Sequence, residues 1–134
     1  MYESNCDLLT WKAREKSAGA LIDDLIVVCG GADSNGKALN TCIQYNTTLD
    51  KWQDFPNNLV SRISPSMVTF DNKLVISGGY TDTNESTSYL EVFTENSWRK
   101  GVELPNGYLR GACTVTHNGK LYLIGGKWWK YVEF

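Results

Sequence analysis

LVISGGY, residues 74–80, is an apolar run that stops on two glycines and a tyrosine. One glycine at a strand end is ordinary turn chemistry; two in succession ask for a reason. The same ending occurs in LIVVCGG (25–31) and LYLIGG (121–126). The glycine pairs begin at Gly30, Gly78 and Gly125, at intervals of 48 and 47 residues. Arg14, Arg62 and Arg110 keep the same beat: each lies 48 residues from the next, and they precede their glycine pairs by 16, 16 and 15 residues. Such a period defines an internal repeat, and the repeat decides the fold.

Each unit reads as strands. The first strand is AGALI, SMVTF or CTVTH. The turns that follow, Asp23-Asp24, Asp71-Asn72 and Asn118-Gly119, use the residue types that tolerate positive φ in a tight hairpin. The second strand is the glycine-ending run. Its lack of alternation predicts a strand covered on both faces. A polar loop follows, then a third strand, CIQY or LEVF, and a fourth around Trp52 or Trp98. The predicted unit is a four-stranded antiparallel meander with two apolar faces, which requires sheets to stack radially as in a β-propeller. No segment reads as a long helix, and a β-sandwich does not account for the period.

Composition narrows the function. The chain has 134 residues, 42% of them hydrophobic, enough for a buried core in one ordinary domain. With 13 basic and 15 acidic residues the formal charge is −2, which supplies no broad positive field for nucleic acid. No apolar run approaches the roughly 20 residues of a membrane span. The four cysteines, Cys6, Cys29, Cys42 and Cys113, match no zinc spacing, and the single histidine, His117, is too far along its strand from Cys113 for a catalytic pair. No secretory signal is visible at the start, so the expected location is cytoplasmic, with reduced thiols. Cys29 and Cys42 face each other if the loop between them is symmetric; that opens a cross-strand disulfide, but two buried thiols are the expectation. The sequons at Asn46 and Asn84 are short enough to arise by chance and are read as unmodified. KWWK (127–130) mixes bases with aromatics, yet reads as a strand with exposed lysines rather than a nucleic-acid site.

These residues resemble the kelch repeat, in which a glycine pair after an apolar strand is followed by an aromatic residue and then a tryptophan. Here Tyr45 lies fourteen residues after Gly31, with Trp52 seven further on. Phe93 lies fourteen after Gly79, with Trp98 five further on, so phenylalanine replaces tyrosine and the turn is shorter. The resemblance places kelch repeats at 14–61 and 62–109 and an incomplete one at 110–134. Residues 1–13 form an N-terminal segment in which CDLLTW (6–11) reads as the last strand of a preceding blade, while YVEF at the other end matches the third-strand segments. The fold class is all-β, with kelch-type propeller blades in an incomplete ring. Either the chain is a piece of a longer propeller protein, the leading reading, or the ring is shared between chains. The motif residues Gly30, Gly31, Tyr45, Trp52, Gly78, Gly79, Phe93, Trp98, Gly125 and Gly126 are expected to be structural, with the glycines making room for tryptophans packed between blades.

The resemblance implies a non-catalytic protein-interaction module, like the substrate-recognition propellers of kelch-type ubiquitin-ligase adaptors, in which a separate BTB domain binds the cullin. Actin-binding or scaffold roles are the alternatives, as is a truncated product without independent function. No enzyme activity, cofactor or metal is expected, and the partner is a protein reached through the propeller loops, not nucleic acid or membrane. The implied surface consists of residues 32–40, 60–64, 80–88 and 108–111. Within it Tyr80, Arg62, Ser64, Tyr108 and Arg110 are the candidate partner-binding residues. For Arg62 and Arg110 the regular spacing with Arg14 favours a repeated structural role, bonding carbonyls of a neighbouring strand. Asp82 and Glu85 read as solvating charges.

Overall fold

The computed structural model describes residues 12–104 and 110–126. Ten strands form two four-stranded antiparallel sheets and a hairpin. Blade 1 contains β1 (Ala18–Ile22), β2 (Leu25–Cys29), β3 (Cys42–Asn46) and β4 (Lys51–Phe55). Blade 2 contains β5 (Ser66–Phe70), β6 (Lys73–Ser77), β7 (Tyr89–Thr94) and β8 (Ser97–Glu103). The hairpin joins β9 (Ala112–His117) to β10 (Lys120–Gly125). In both blades the sheet order follows the chain order, as in a meander. β1 lies beside β5, and β5 beside β9, so the first strand of each unit lines the same side of the stack.

The local chemistry explains the hairpins. Asp23, Asp71, Asn72, Asn118 and Gly119 all take positive φ, the geometry that matches the twist of antiparallel strands in a two-residue turn. The β7–β8 turn does the same with Glu95 and Asn96. In the longer β3–β4 turn, the Asn46 side chain accepts bonds from the backbone N–H groups of Thr48 (3.0 Å) and Leu49 (2.9 Å). That leaves the sequon asparagine tied into its own turn.

The register puts alternate residues on opposite faces. Ala18, Cys29, Cys42 and Phe55 form one row across blade 1, on the face turned toward blade 2. There Val27, Cys29, Cys42 and Phe55 pack against Met67, Leu74, Ile76 and Trp98. The rings of Phe55 and Phe93 lie 4.6 Å apart, and the Trp98 indole N–H donates to the Pro56 carbonyl at 2.8 Å. A second core joins blade 2 to the hairpin through Val75, Leu90, Leu104, Leu121 and Leu123. Ser77 and Thr114 hydroxyls meet at 2.6 Å across that seam. β6 is therefore covered on both faces, as its composition predicts. β2 is not: Ile26 is 40% exposed, because its face of blade 1 carries no neighbouring sheet among the described residues.

Two expectations are corrected here. Cys29 and Cys42 form a disulfide across the β2–β3 pair, where the expectation was two thiols. They are directly opposite in the register, and both side chains are buried, so the short reach between neighbouring strands brings the sulfurs into bonding distance. The denatured, unreduced chain should show two fewer reactive thiols than the chain after reduction, through the loss of Cys29 and Cys42; equal counts in both conditions would contradict the bond.

The second correction concerns the glycine pairs. They do not make room for tryptophans. All six residues take positive φ, and at Gly30, Gly31 and Gly79 the atom nearest an added Cβ is a backbone carbonyl oxygen. A Cβ on Gly31 would sit 2.4 Å from the Glu15 carbonyl oxygen, and one on Gly79 would sit 2.8 Å from that of Ile63. At these points the strand end turns left-handed and passes against the segment that leads into β1 or β5.

Candidate functional site

The connections at one end of the blades are braced by side chains buried beneath them. Arg14 donates from Nη1 to the carbonyls of Gly30 (3.2 Å) and Thr41 (2.7 Å). Arg62 donates to the carbonyls of Gly78 (2.9 Å) and Tyr89 (3.0 Å). Gly78 and Tyr89 stand 48 residues beyond Gly30 and Thr41, so the two arginines make the same bonds in consecutive blades. Each ties the end of the second strand to the start of the third.

Blade 2 adds a carboxylate. Glu91 is fully buried, as is Arg62. Its Oε1 accepts from Arg62 Nε (3.1 Å) and Nη2 (3.0 Å), from the Val60 N–H (3.1 Å) and from Asn58 Nδ2 (3.3 Å). Oε2 accepts from the Leu59 N–H. Burial pushes the Arg62 guanidinium down from the usual arginine range, and Glu91 pushes it back up. The pair anchors the crossover between blades to the middle of β7. In blade 1 the position of Glu91 holds Ile43, and Arg14 is only partly buried.

Upon this base sit the exposed loops. Asp33 accepts from the N–H groups of Asn35 (2.8 Å) and Lys37 (2.9 Å), shaping the β2–β3 connection. Asp82 accepts from the Ala38 N–H, which links the β6–β7 connection to the β2–β3 one across the blade boundary. Asp82 is thus a brace rather than the solvating charge it was expected to be. Glu85 is exposed.

The candidate residues separate into three groups. Tyr80 and Arg110 come together: the guanidinium lies 5.3 Å from the ring centroid, and Tyr80 packs on Ala32, Ala38 and Ile63. Arg110 also donates from Nε to Ser86 Oγ (3.1 Å) and from Nη1 to Asn84 Oδ1 (2.7 Å), and from Nη2 to the Asn84 carbonyl. Among the described residues these bonds reach back to the preceding blade and do not repeat the Arg14 and Arg62 pattern. Ser64 sits half-buried at a φ of 53°, its N–H bonded to the Lys16 carbonyl at 2.9 Å. Arg62 has no surface at all and takes the structural one of its two expected roles, so it does not belong to a contact surface. Tyr108 lies outside the described residues, as do KWWK, YVEF and CDLLTW. His117 is exposed at the far end of β9.

Glu91 and Asn58 were missed in the sequence. The signal was a single acidic residue inside LEVF, at a position where both sheet faces are apolar. A buried carboxylate demands a cationic partner, and the periodic arginine supplies it.

A kelch motif family model matches residues 14–59 and 61–105, more than half of the chain, and the chain belongs to the kelch-repeat family. It is similar to Kelch repeat and BTB domain-containing protein 1 of Cowpox virus (strain GRI-90 / Grishak), 25% identical over 122 residues, covering 90% of this chain and 22% of that protein. It is also similar to Kelch-like protein 40 of Xenopus tropicalis, 30% identical over 106 residues, covering 78% of this chain and 17% of that protein. The chain spans about a fifth of the length of these relatives. Among solved structures, that of YjhT superposes with a TM-score of 0.75 at 16% identity, covering 87% of this chain and 40% of that one. The strands described above are kelch propeller blades.

Proposed function

We propose that this chain is a non-catalytic protein-binding module whose contact surface is the loop end of blades 1 and 2. One observation carries this reading: the β2–β3 and β6–β7 connections are bonded to each other through Asp82 and Ala38, and so present the Tyr80–Arg110 pair on a preorganised support. A rigid aromatic ring beside a guanidinium is the kind of anchor that dominates interface energy, and a fixed loop loses little entropy on binding. As part of a BTB-bearing protein, the surface would select the substrate of a ubiquitin ligase. The likeness to the cowpox virus relative, whose name carries the BTB domain, supports that finer reading.

The test starts from partners recovered by crosslinking the chain in its native cell extract, with each then made recombinantly. Tyr80→Ala should weaken the true partner by roughly 30-fold or more, about 2 kcal/mol, as hot-spot truncations do. Its melting temperature should stay close to that of the parent chain. Unchanged affinity in both Tyr80→Ala and Arg110→Ala would place the contact elsewhere. A falling melting temperature would make Tyr80 a packing residue of the small cluster beneath it.

A further inference from the structure

The two blades hold the same strand ends by different chemistry, and we propose that the Cys29–Cys42 bond is a redox control on the β2–β3 connection and, through it, on the Tyr80–Arg110 surface. The second half of that statement rests on the loop-binding reading; the first stands on the fold alone. Forty-eight residues beyond Cys29 and Cys42 stand Ser77 and Leu90, a pair that cannot form such a bond. Blade 2 secures this point with the buried Arg62–Glu91 pair instead. In blade 1 Ile43 takes the place of Glu91. Among the described residues Arg14 bonds to uncharged acceptors: the carbonyls of Lys12, Gly30 and Thr41 and the Thr41 hydroxyl. The disulfide supplies the tie that the carboxylate supplies one blade further on. An ion pair does not respond to a reductant; a disulfide does.

What the bond restrains is the support of the surface. The two cysteines stand directly opposite each other at the two ends of the connection, residues 30–41. Within it Ala32 and Ala38 pack against Ile63 and Tyr80, and the Ala38 N–H donates to Asp82. The Leu39 N–H donates to the Gly31 carbonyl at 2.9 Å, and the Leu39 carbonyl accepts from the Arg62 N–H at 3.0 Å. The Asn40 carbonyl accepts from the Asn58 N–H at 3.0 Å, and the Asn40 side chain donates to the Asn58 carbonyl at 3.1 Å. A connection closed by a covalent bond has little conformational freedom, and opening the bond returns that freedom.

The fold also provides for the reduced state. Asn58 Oδ1 stands 3.8 Å from the Cys42 sulfur, within reach of a thiol hydrogen bond that the disulfide has no proton to make. Reduction gives Cys42 that proton. Both cysteines are buried in the core shared with blade 2, so two separate thiols need room that the strand ends have to yield. The reaction is thiol–disulfide exchange with a dithiol. A thiolate of the reductant attacks one sulfur, and the Cys29–Cys42 bond breaks as a mixed disulfide forms. The reductant's second thiol then closes its own disulfide and releases the protein. Two electrons pass to the protein, and each cysteine sulfur ends with one proton. Because the sulfurs are buried, the exchange waits on local opening of the strand end.

Hydrogen exchange on the full chain tests the switch without a partner. Dithiothreitol is the probe, and the mass of the alkylated chain marks complete reduction. The amides of Ala38, Leu39 and Arg62 should exchange about tenfold faster or more after reduction, while those of Val75 and Ile76 in β6 keep their protection. Cys29→Ala combined with Cys42→Ala should show the fast exchange without reductant and no further response to it. Cys113→Ser should respond as the parent chain does. Unchanged exchange at Ala38 and Leu39 in the fully reduced chain overturns the proposal. Loss of protection in β6 as well also overturns it, and makes the bond a staple of the whole fold. For a partner that depends on Tyr80 in the oxidised chain, reduction should weaken binding about tenfold, since a loosened support has to be ordered again on binding. Equal affinity in both states overturns the control of the surface. Tyr80→Ala is compared on the oxidised chain, so a failure of the loop-binding reading shows there, and a failure of the switch shows in the exchange.

Discussion

Glu91→Ala should destabilise the fold by about 3–5 kcal/mol, the range for removing one partner of a buried ion pair. The loss exceeds that of one contact because the carboxylate serves Arg62, Asn58 and the N–H groups of Leu59 and Val60 together. Without it a guanidinium with no exposed surface keeps only neutral acceptors: the carbonyls of Gly78 and Tyr89 and the Thr87 hydroxyl at 2.6 Å. Two crossover N–H groups are left without the acceptor they had. Against a total stability of about 5–15 kcal/mol, this removes a large share and should move a urea midpoint sharply down. Glu91→Gln should cost less, since it keeps the shape and one acceptor oxygen. Arg62→Met combined with Glu91→Leu should recover part of the loss, because the pair's attraction only partly offsets the desolvation of two charges. Arg14→Ala should cost much less than Arg62→Ala: Arg14 is partly exposed, and Ile43 occupies the register of the carboxylate. A Glu91→Ala midpoint within about 1 kcal/mol of the parent would show that the crossover is held by its apolar contacts instead.

This contrast between blades explains how much of the molecule could be read in advance. Period, strand positions and hairpin turns were legible because they rest on local chemistry. Asp71-Asn72 and Asn118-Gly119 announce their turns, and SMVTF coincides with β5. The carbonyl-bonding role of Arg14 and Arg62 was legible from spacing alone, because equal sequence offsets become equal geometry in a repeat. Arg110 shows where that inference stops. It shares the spacing, but it turns back to Asn84 and Ser86, since a side chain with several reachable acceptors is not fixed by its Cα position.

The site was less legible than the fold, and for the same reason. The bond from Ala38 to Asp82 crosses 44 residues and a blade boundary. Nothing in the local pattern of YTDTNES distinguishes a bracing aspartate from a solvated one. The Cys29–Cys42 bond turned on register: the residues had to be directly opposite, which depended on how many loop residues fold back at each end. That blade 1 has one neighbouring sheet among the described residues likewise cannot be read from β2, whose run is as apolar as that of β6. Burial depends on what stacks next, and that is a property of the stack.

Gly31→Ala should be the most disruptive of the glycine substitutions, and comparison with Gly36→Ala identifies the reason. Gly31 has a φ of 93° and Gly36 one of 78°, so both carry the penalty of left-handed backbone for an alanine, about 1–2 kcal/mol. Around Gly36 a Cβ would meet nothing within 4 Å. At Gly31 it would meet the Glu15 carbonyl oxygen at 2.4 Å and the Ser17 nitrogen at 3.1 Å, both backbone atoms that cannot swing aside as a side chain can. Gly31 also holds the chain through its N–H, bonded to the Arg62 carbonyl at 2.8 Å, and through its carbonyl, which accepts from the Leu39 N–H at 2.9 Å. Displacing this strand end therefore pulls on the crossover and on the β2–β3 connection together. Overpacking should add about 1–3 kcal/mol to the conformational term. Gly79→Ala, 2.8 Å from the Ile63 carbonyl oxygen and with a φ of 86°, should fall close behind. Thermal melts of the three variants should order them with Gly36→Ala nearest the parent chain. Equal shifts for Gly36→Ala and Gly31→Ala would mean that the left-handed turn alone explains the glycine pair, and that the segment entering β1 moves aside without cost.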